Sequence, residues 1–474
     1  MSTRHLFGTD GIRGVAGRTP MTAPFALMLG LATAEHLRDR GTDRPAVVVG
    51  RDTRRSGPML ASAVTAGLNA GGADVVDLGV MPTPGVSHLV RALEAAAGVV
   101  VSASHNPFED NGLKLFGADG AKLADAEEFA LEARMNALDR GSVAALGGDE
   151  RTGAHLGQVR RYRFEDGHYV RFLLGNAPFL DGLRVALDCA NGAAYKIAPR
   201  VFEQIGARLE VAAAKPDGLN INAGCGSTHP EAVRERVLRG GFDVGVTFDG
   251  DADRVLLVDR RGRLVTGDHM IAINALVRGD ANVVATQMTN LGTERFLAGE
   301  GVALHRVQVG DRYVHEKLLA EGWRLGGEQS GHVLFLDKAP TGDGILTALQ
   351  TLAACRASGV PLEAWMDRIP SFPQTLVNVV VPHGAKALLA GDPVVLAAVA
   401  DAETALGADG RVNVRPSGTE SLVRVMIEAA DDALVAQWST HVADAVRRAA
   451  SQDASAPMAT PPATGTGPNE ARPS

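Results

Sequence analysis

The stretch VVVSASHNPFEDNGLKLF, Val99 to Phe116, decides how the rest of the chain is read. Three valines continue an apolar run of the kind that forms a buried strand. The run empties into Ser102, Ala103, Ser104, His105, Asn106 and Pro107, a sharp polar turn, and meets Asn111-Gly112 with Lys114 close behind. A turn needs only one or two residues of this kind. The surplus of hydroxyl, imidazole, amide and ammonium groups at the end of a core strand points to chemistry.

Outward from this stretch the same shape recurs. AVVVGRDTR, RVALDCANGA, VGVTFDGDADR, NVVATQMTN and WRLGGEQSGH are each a strand-like run that ends in a polar or glycine-containing loop. Continuous apolar strands alternating with helical periodicity predict α/β layering with mostly parallel sheets. Ligands in such sheets gather beyond the carboxyl ends of strands. Loops near Ser104, Asp249 and Glu328 recur at spacings of order one domain, which suggests three related α/β units around one site. After Phe372 the pattern changes. TLVNVVVP reads as a strand, VVLAAVADAETALG as a helix stopped by glycine, RVNVRPSGTESLVRVMIEA as two strands round a tight loop, and ALVAQWSTHVADAVRRAA as a last helix. That is a small α+β domain. Breaks near 140–160 and 368–375 mark boundaries, although the first reads equally well as a surface loop. The expected division is 1–155, 156–256, 257–370 and 371–450, with 451–474 a disordered tail of Ala, Pro, Thr, Ser and Gly.

The bulk numbers exclude several classes. A chain of 474 residues, 45% hydrophobic, is ample for several cores, and at 4% aromatics those cores must be aliphatic. A formal charge of -8 offers no overall basic field for nucleic acid. An anionic ligand must be held by local arginines. Cys189, Cys225 and Cys355 stand far apart in no CxxC spacing, which argues against a disulfide framework or zinc site and for a reducing cytosol. No run of about 18 apolar residues exists, so no membrane span is expected. APFALMLGLATA ends in Ala-x-Ala like a signal peptide. Phe25, Met28, Leu29 and Ala32, however, share one face of a helix starting near Thr22, and the preceding FGTDGIRG is too elaborate for a discarded leader.

TFDGDADR places Asp249, Asp251 and Asp253 at alternate positions directly after a strand. Three carboxylates so close repel one another, and oxygen ligands without His or Cys suit a hard ion such as Mg²⁺. An EF-hand is excluded: its sixth position would be Arg254 rather than Gly, and its twelfth Arg260 rather than Glu. Arg254 either binds phosphate or balances charge. VRPSGTE, with Arg415, Ser417, Gly418 and Thr419, offers a fork of donors for a phosphate, and an ordinary hairpin turn accounts for it as well. GGEQSGH, with Glu328, Ser330 and His332, carries groups that read sugar hydroxyls. No GxxxxGK[ST] occurs. A serine at a strand end, a metal loop, a phosphate fork and a sugar reader belong together if the serine carries a phosphoryl group. Lys114 is then an acid/base candidate, its pKa lowered by neighbouring cations, with a solvated loop lysine as the alternative. His105 is expected to brace the loop.

With these motifs in view, the chain resembles the α-D-phosphohexomutase superfamily, most closely the bacterial phosphoglucosamine mutases. The likeness runs in family order through FGTDGIRG, GRDTRRSG, SASHNPFEDNGLKLF, NINAGCGSTHPE, TFDGDADR, VGDRYV, GGEQSGH and RPSGTE, essentially residues 4–450. The resemblance implies four domains, three of them similar α/β domains with mixed sheets plus a C-terminal α+β domain, around a central cleft. It implies that Ser104, not Ser102, is the phosphorylated residue, with Lys114, Arg13 and His332 catalytic. It implies one Mg²⁺ held by Ser104, Asp249, Asp251 and Asp253. Arg254, Glu328, Ser330, Arg415, Ser417, Gly418 and Thr419 would bind substrate. The implied reaction interconverts glucosamine 6-phosphate and glucosamine 1-phosphate through glucosamine 1,6-bisphosphate, which also serves as activator, on the route to UDP-N-acetylglucosamine. A phosphomannomutase/phosphoglucomutase is the alternative; relatives of that kind more often show Met where Gln329 stands. The implied setting is cytoplasmic, with a phosphosugar as partner and neither nucleic acid nor membrane. A homodimer, and an activating kinase or autophosphorylation, stay open.

Overall fold

The structure is a computed structural model that describes residues 6–8, 10–140, 152–163, 167–382, 391–417 and 421–453. The chain divides between Pro370 and Ser371 into two compact units.

The first unit holds three sheets. In the first lie β1 (Ile12–Val15), β2 (Ala46–Arg51), β3 (Asp74–Val80), β4 (Ala97–Val101), β5 (Asp110–Gly117) and β6 (Val159–Arg161), in the order β1-β5-β4-β2-β3-β6. β4, β2, β3 and β6 run parallel, and β5 and β1 continue the sheet antiparallel. β4 is the sequence AGVVV and is buried at every position, which is why it reads as an unbroken apolar run. The helix expected near Thr22 spans Ala23–Asp39, with Phe25, Leu29 and Ala32 buried.

The second sheet comprises β7 (Arg184–Asp188), β8 (Arg208–Ala212), β9 (Val244–Phe248), β10 (Val255–Asp259) and β11 (Leu264–Val265), ordered β11-β10-β9-β7-β8. The third comprises β12 (Asn282–Thr286), β13 (Ala303–Val307), β14 (Leu325–Gly327) and β15 (Val333–Phe335), ordered β13-β12-β14-β15. Each again joins parallel strands to an antiparallel edge: β9 to β10, and β14 to β15. The three sheets are therefore mixed rather than mostly parallel. In all of them the chain turns straight back after one parallel strand instead of leaving through a helix. Residues 102–109, 249–254 and 328–332 are these three turn-backs, and they occupy the same topological place.

The second unit is a three-stranded antiparallel sheet of β16 (Gln374–Val380), β17 (Gly410–Pro416) and β18 (Leu422–Ala429), with β18 central. Helices Pro393–Leu406 and Asp432–Asp453 cover it.

Some expected boundaries need correction. β6 pairs with β3, so the first sheet reaches Arg161, past 155. The boundary at 256 falls inside β10, which pairs with β9 and carries the second sheet on to Val265. The last helix runs to Asp453 because Ala449 and Ala450 are buried in its core, so a tail cannot begin at Ser451. Residues 454–474, and most of the 140–160 break, lie outside the described residues.

Helix Gly267–Arg278 is stapled to the third turn-back, where Gly267 N–H donates to Gln329 O at 3.0 Å. Its start is a capping box in which His269 Nδ1 accepts from the Thr266 N–H at 3.1 Å. Burial, and then the charge of Arg263, push His269 down to about 4. The folded protein thus keeps this ring neutral while an unfolded histidine protonates near pH 6.5. A depressed pKa contributes stability that is fully present above about 6.5 and is lost as pH falls toward about 4, by up to about 3 kcal/mol. His269→Gln keeps an acceptor that cannot be protonated. The wild type should lose stability relative to this variant between pH 6.5 and 4 in denaturant titrations, and parallel curves would show that His269 does not titrate with folding.

Candidate active site

The three turn-backs meet. β4 delivers Ser104 fully buried, in the left-handed region at φ 53°, with its Oγ donating to Asp249 Oδ2 from the second sheet. Ser102 is committed elsewhere. Its hydroxyl donates to Asp52 Oδ2 at 2.6 Å and accepts from the Ser104 N–H at 3.0 Å. Of the two serines in the motif, Ser104 is the one whose hydroxyl faces the carboxylates.

Asp249, Asp251 and Asp253 are buried, and each offers a ligand oxygen within 4.8 Å of the others. Asp251 Oδ1 and Asp253 Oδ1 have no hydrogen-bond partner. Buried carboxylate oxygens left unpaired are costly in a protein interior. A hard divalent cation would satisfy them, so the residues present fit Mg²⁺. Burial and then the charges of Asp253 and Asp251 push Asp249 well above the usual carboxylate range. Burial also opposes ionisation of Asp253, but Lys114 and His332 outweigh it and hold that carboxyl well below the range.

Cations surround the triad. Lys114 is the second residue after Gly112 on β5, which pairs with both β1 and β4, so its side chain comes from the middle of a three-strand ribbon. Lys114 Nζ lies 3.0 Å from Asp251, 3.1 Å from Asp10 and 3.5 Å from Asp253. This overturns the expectation that neighbouring cations lower its pKa. Burial does disfavour its charge, but the carboxylates of Asp10, Asp251 and Asp253 outweigh burial and raise the pKa above that of an ordinary lysine. Lys114 is also 1% exposed, which sets aside the solvated-loop alternative. Arg13 on β1 pairs with Asp10. His332 is buried, with Nδ1 3.7 Å from Asp253 and Nε2 3.4 Å from Asp311. Burial works against its charge, and Asp253 and then Asp311 raise its pKa above the ordinary histidine value.

Arg254 Nη1 meets His105 Nδ1 at 2.5 Å. Burial, then Arg254 and Arg13, push His105 down to about 4, so its ring is a neutral acceptor that braces the loop, as expected. The Glu328–His332 loop docks on the start of β10, where Val255 N–H donates to Gly331 O at 3.2 Å. Gly331 is in the left-handed region at φ 94°, and a Cβ there would stand 1.9 Å from Val255 O. Glu328 Oε1 accepts from Gly310 N–H at 3.1 Å, and Ser330 is exposed.

Arg415 and Ser417 belong to the second unit. Arg415 on β17 stands directly opposite Arg424 on β18, and burial followed by that neighbour lowers its pKa. Like charges directly opposite destabilise a strand pair. Gly418 and Thr419 lie outside the described residues.

The reading from sequence overlooked several members of the site. Asp10 gathers Arg13, Lys114 and Lys122, and Lys122 continues to Asp311 at 2.5 Å. Asp10 and Asp311 stand in motifs already singled out, FGTDGIRG and VGDRYV. Thr83, whose Oγ1 donates to Asp251 Oδ2 at 2.6 Å, carried no signal in its sequence neighbourhood.

Comparison with known proteins adds four family matches. The phosphoglucomutase/phosphomannomutase α/β/α domains I, II and III match residues 4–142, 168–262 and 266–372, and the C-terminal domain of that family matches 376–445. A phosphoglucosamine mutase of Deinococcus radiodurans is 52% identical over 446 residues, 94% of this chain and 98% of that one. A phosphoglucomutase/phosphomannomutase family protein of Burkholderia thailandensis has a crystal structure that superposes with a TM-score of 0.75 at 27% identity, covering 95% of this chain and 98% of its own. An Aspergillus fumigatus N-acetylphosphoglucosamine mutase, solved with GlcNAc-6P and magnesium, shares the fold at 18% identity and a TM-score of 0.60, over 94% of this chain and 96% of its own.

Burial and the neighbouring carboxylates disfavour ionisation of Asp249, and a divalent cation bound at the triad would favour it. Mg²⁺ binding should therefore release a proton, and its apparent affinity should weaken as pH falls. Titration calorimetry in buffers of different ionisation enthalpy measures that proton. Asp249→Asn should abolish both the proton release and most of the rise in Tm that Mg²⁺ confers, and a wild-type-like Mg²⁺ response from this variant would remove the triad as the site.

Proposed function

The chain belongs to the phosphoglucomutase/phosphomannomutase family and is an isomerase that interconverts glucosamine 6-phosphate and glucosamine 1-phosphate, and we propose that Ser104 carries the phosphoryl group between them. The near-full-length likeness to phosphoglucosamine mutases supports the substrate. The facing of Ser104 Oγ and Asp249 supports the residue.

In the proposed cycle, phosphorylated Ser104 gives its phosphoryl group to O1 of glucosamine 6-phosphate. The P–Oγ bond breaks, a P–O1 bond forms, and the net proton passes from the O1 hydroxyl to Oγ. The resulting 1,6-bisphosphate turns round, its 6-phosphoryl group returns to Ser104, and glucosamine 1-phosphate leaves. Asp249, Asp251, Asp253 and the phosphoserine would hold one Mg²⁺, which when bound would supply neutralising charge. Transfer of this kind asks the protein mainly for positioning and electrostatics. Lys114, held as an ammonium by its carboxylates, and Arg13 face charge that develops on the phosphoryl oxygens. His332, with its pKa raised, is the proton donor of the set. Glu328 and Ser330 read sugar hydroxyls, Arg254 binds phosphate or balances charge beside the triad, and Arg415, Ser417, Gly418 and Thr419 hold the phosphate that is not reacting. On this reading each of the four domains serves one part of the reaction, in chain order the phosphoserine, the metal, the sugar and the phosphate. Ser104 needs priming once, by a kinase, by autophosphorylation or by the bisphosphate, and the enzyme works in the cytoplasm.

A coupled assay should show turnover of glucosamine 6-phosphate well above that of glucose and mannose 6-phosphates. Intact mass should show a phosphate adduct that disappears in Ser104→Ala, together with activity near background. Full turnover by that variant would sink the proposal, and loss in Ser102→Ala alone would reassign the serine. Arg415 should contribute charge-assisted hydrogen bonds worth about 1.5–3 kcal/mol. Arg415→Ala should then raise KM by about tenfold to a few hundredfold, and should need added glucosamine 1,6-bisphosphate because the intermediate escapes. A wild-type KM with no such need would leave RPSGTE as a plain hairpin turn.

A further inference from the structure

We propose that Asn222, in the NINAGCG stretch after β8, is the positioning residue that sets Ser104 against the carboxylate triad; this rests on Ser104 being the phosphoryl carrier. Asn222 is buried at 7% exposure, and its Nδ2 donates to two backbone carbonyls of the serine loop, Ser104 O and Asn106 O, each at 3.0 Å. Those same two oxygens also accept from Arg54 Nη2, at 3.1 Å and 2.6 Å. Arg54 is itself 1% exposed and is neutralised by Asp52, the carboxylate that also holds Ser102. The serine loop is thus gripped from two sides through its backbone, by a guanidinium of the first α/β layer and an amide of the second.

The two grips differ in what they fix. Arg54 ties the loop to its own layer, next to β2. Asn222 ties it to the layer that carries Asp249, Asp251 and Asp253. Ser104 Oγ and the triad come from different sheets, so their separation depends on contacts that span the two. Thr83 and Lys114 reach Asp251 from the first layer, and Asn222 makes its contact at the carbonyl of the reacting residue itself. The fit is close on the other side too: a Cβ on Gly250, within the metal loop, would stand 2.6 Å from Ser104 O and 2.9 Å from Asn222 Nδ2.

The backbone is left-handed at both ends of the contact. Ser104 has φ 53° and Asn222 φ 58°, the left-handed region that a serine seldom occupies. Such a conformation persists only where surrounding contacts over-determine it. The donated pair of hydrogen bonds meets that need at Ser104, and Asn is the side chain that tolerates the conformation while offering two donors from one nitrogen.

Two variants test the role without depending on one fold. Asn222→Gly removes the donors while suiting the positive φ. Asn222→Asp keeps the size but turns both donors into acceptors against two carbonyl oxygens. The full-length phosphoenzyme is prepared with glucosamine 1,6-bisphosphate and followed by steady-state kinetics and by the ³¹P resonance of the phosphoserine. In both variants kcat should fall about 10²-fold, the scale of a misplacement of about 1 Å at a reacting group. KM should stay within about twofold by the same reasoning, since the sugar and phosphate readers are untouched. The ³¹P resonance should shift while the Tm rise with Mg²⁺ is kept. Wild-type kcat in Asn222→Gly overturns the proposal, as does a rise in KM at unchanged kcat, or an unshifted ³¹P resonance. A wild-type enzyme that shows no phosphoserine resonance at all would instead overturn the role of Ser104.

Discussion

The centre of this molecule is governed by the repulsion among Asp249, Asp251 and Asp253, three buried carboxylates with ligand atoms within 4.8 Å of one another. Two like charges about 4 Å apart cost about 4 kcal/mol at the effective dielectric of a protein near its surface, and more deeper in. Burial and this repulsion hold Asp249 well above the usual carboxylate range, and the charge that remains on the loop calls for cations. The loop recruits Lys114 from the first sheet, Arg254 from its own end, and His332 from the third turn-back. The three layers of the first unit are therefore bound at this point by charge as well as by apolar packing. The alternation continues outward through Asp10, Lys122 and Asp311, so that Lys114 and His332 are each held by a further carboxylate as well.

That arrangement is possible because the three loops are equivalent in the chain's path. Each follows a parallel strand and turns straight back into an antiparallel one. A short turn-back confines its side chains, whereas a crossover through a helix would carry the chain away to the other face of the sheet. The residues of 102–109, 249–254 and 328–332 are consequently held close to the strand ends that place them. Rigid placement suits phosphoryl transfer, where the protein contributes mainly position and charge. The backbone at Ser104 shows the cost, a left-handed φ of 53° maintained by Arg54 and Asn222 together.

Much of this was legible in the residues. The apolar run into SASHNP marked β4 and its loop because a strand buried on both faces has nowhere to put polar groups except its end. The alternation Asp-x-Asp-x-Asp marked a candidate metal loop because an acidic turn capping a helix accounts less well for three carboxylates at the mouth of a buried strand. The helix beginning at Ala23 followed from the spacing of Phe25, Leu29 and Ala32. Edge strands were harder to see. β6 and β11 are three and two residues long, too short to carry a period, and they moved the sheet limits to Arg161 and Val265.

Lys114 separates what the sequence determined from what only the tertiary structure decided. Sequence by itself determined the α/β layering, the strand-end loops, and which residue types each loop would present, because periodicity and local composition are properties of neighbours along the chain. It did not determine the charge state of Lys114, the commitment of Ser102 to Asp52, or the roles of Thr83, Asp10 and Asn222. Those depend on partners far away in sequence, Asp251 137 residues beyond Lys114 and Ser104 118 residues before Asn222. Electrostatic and hydrogen-bond energies depend on separation in space, whatever the distance along the chain. Only the folded arrangement could show that the nearest charges to Lys114 are carboxylates and not cations.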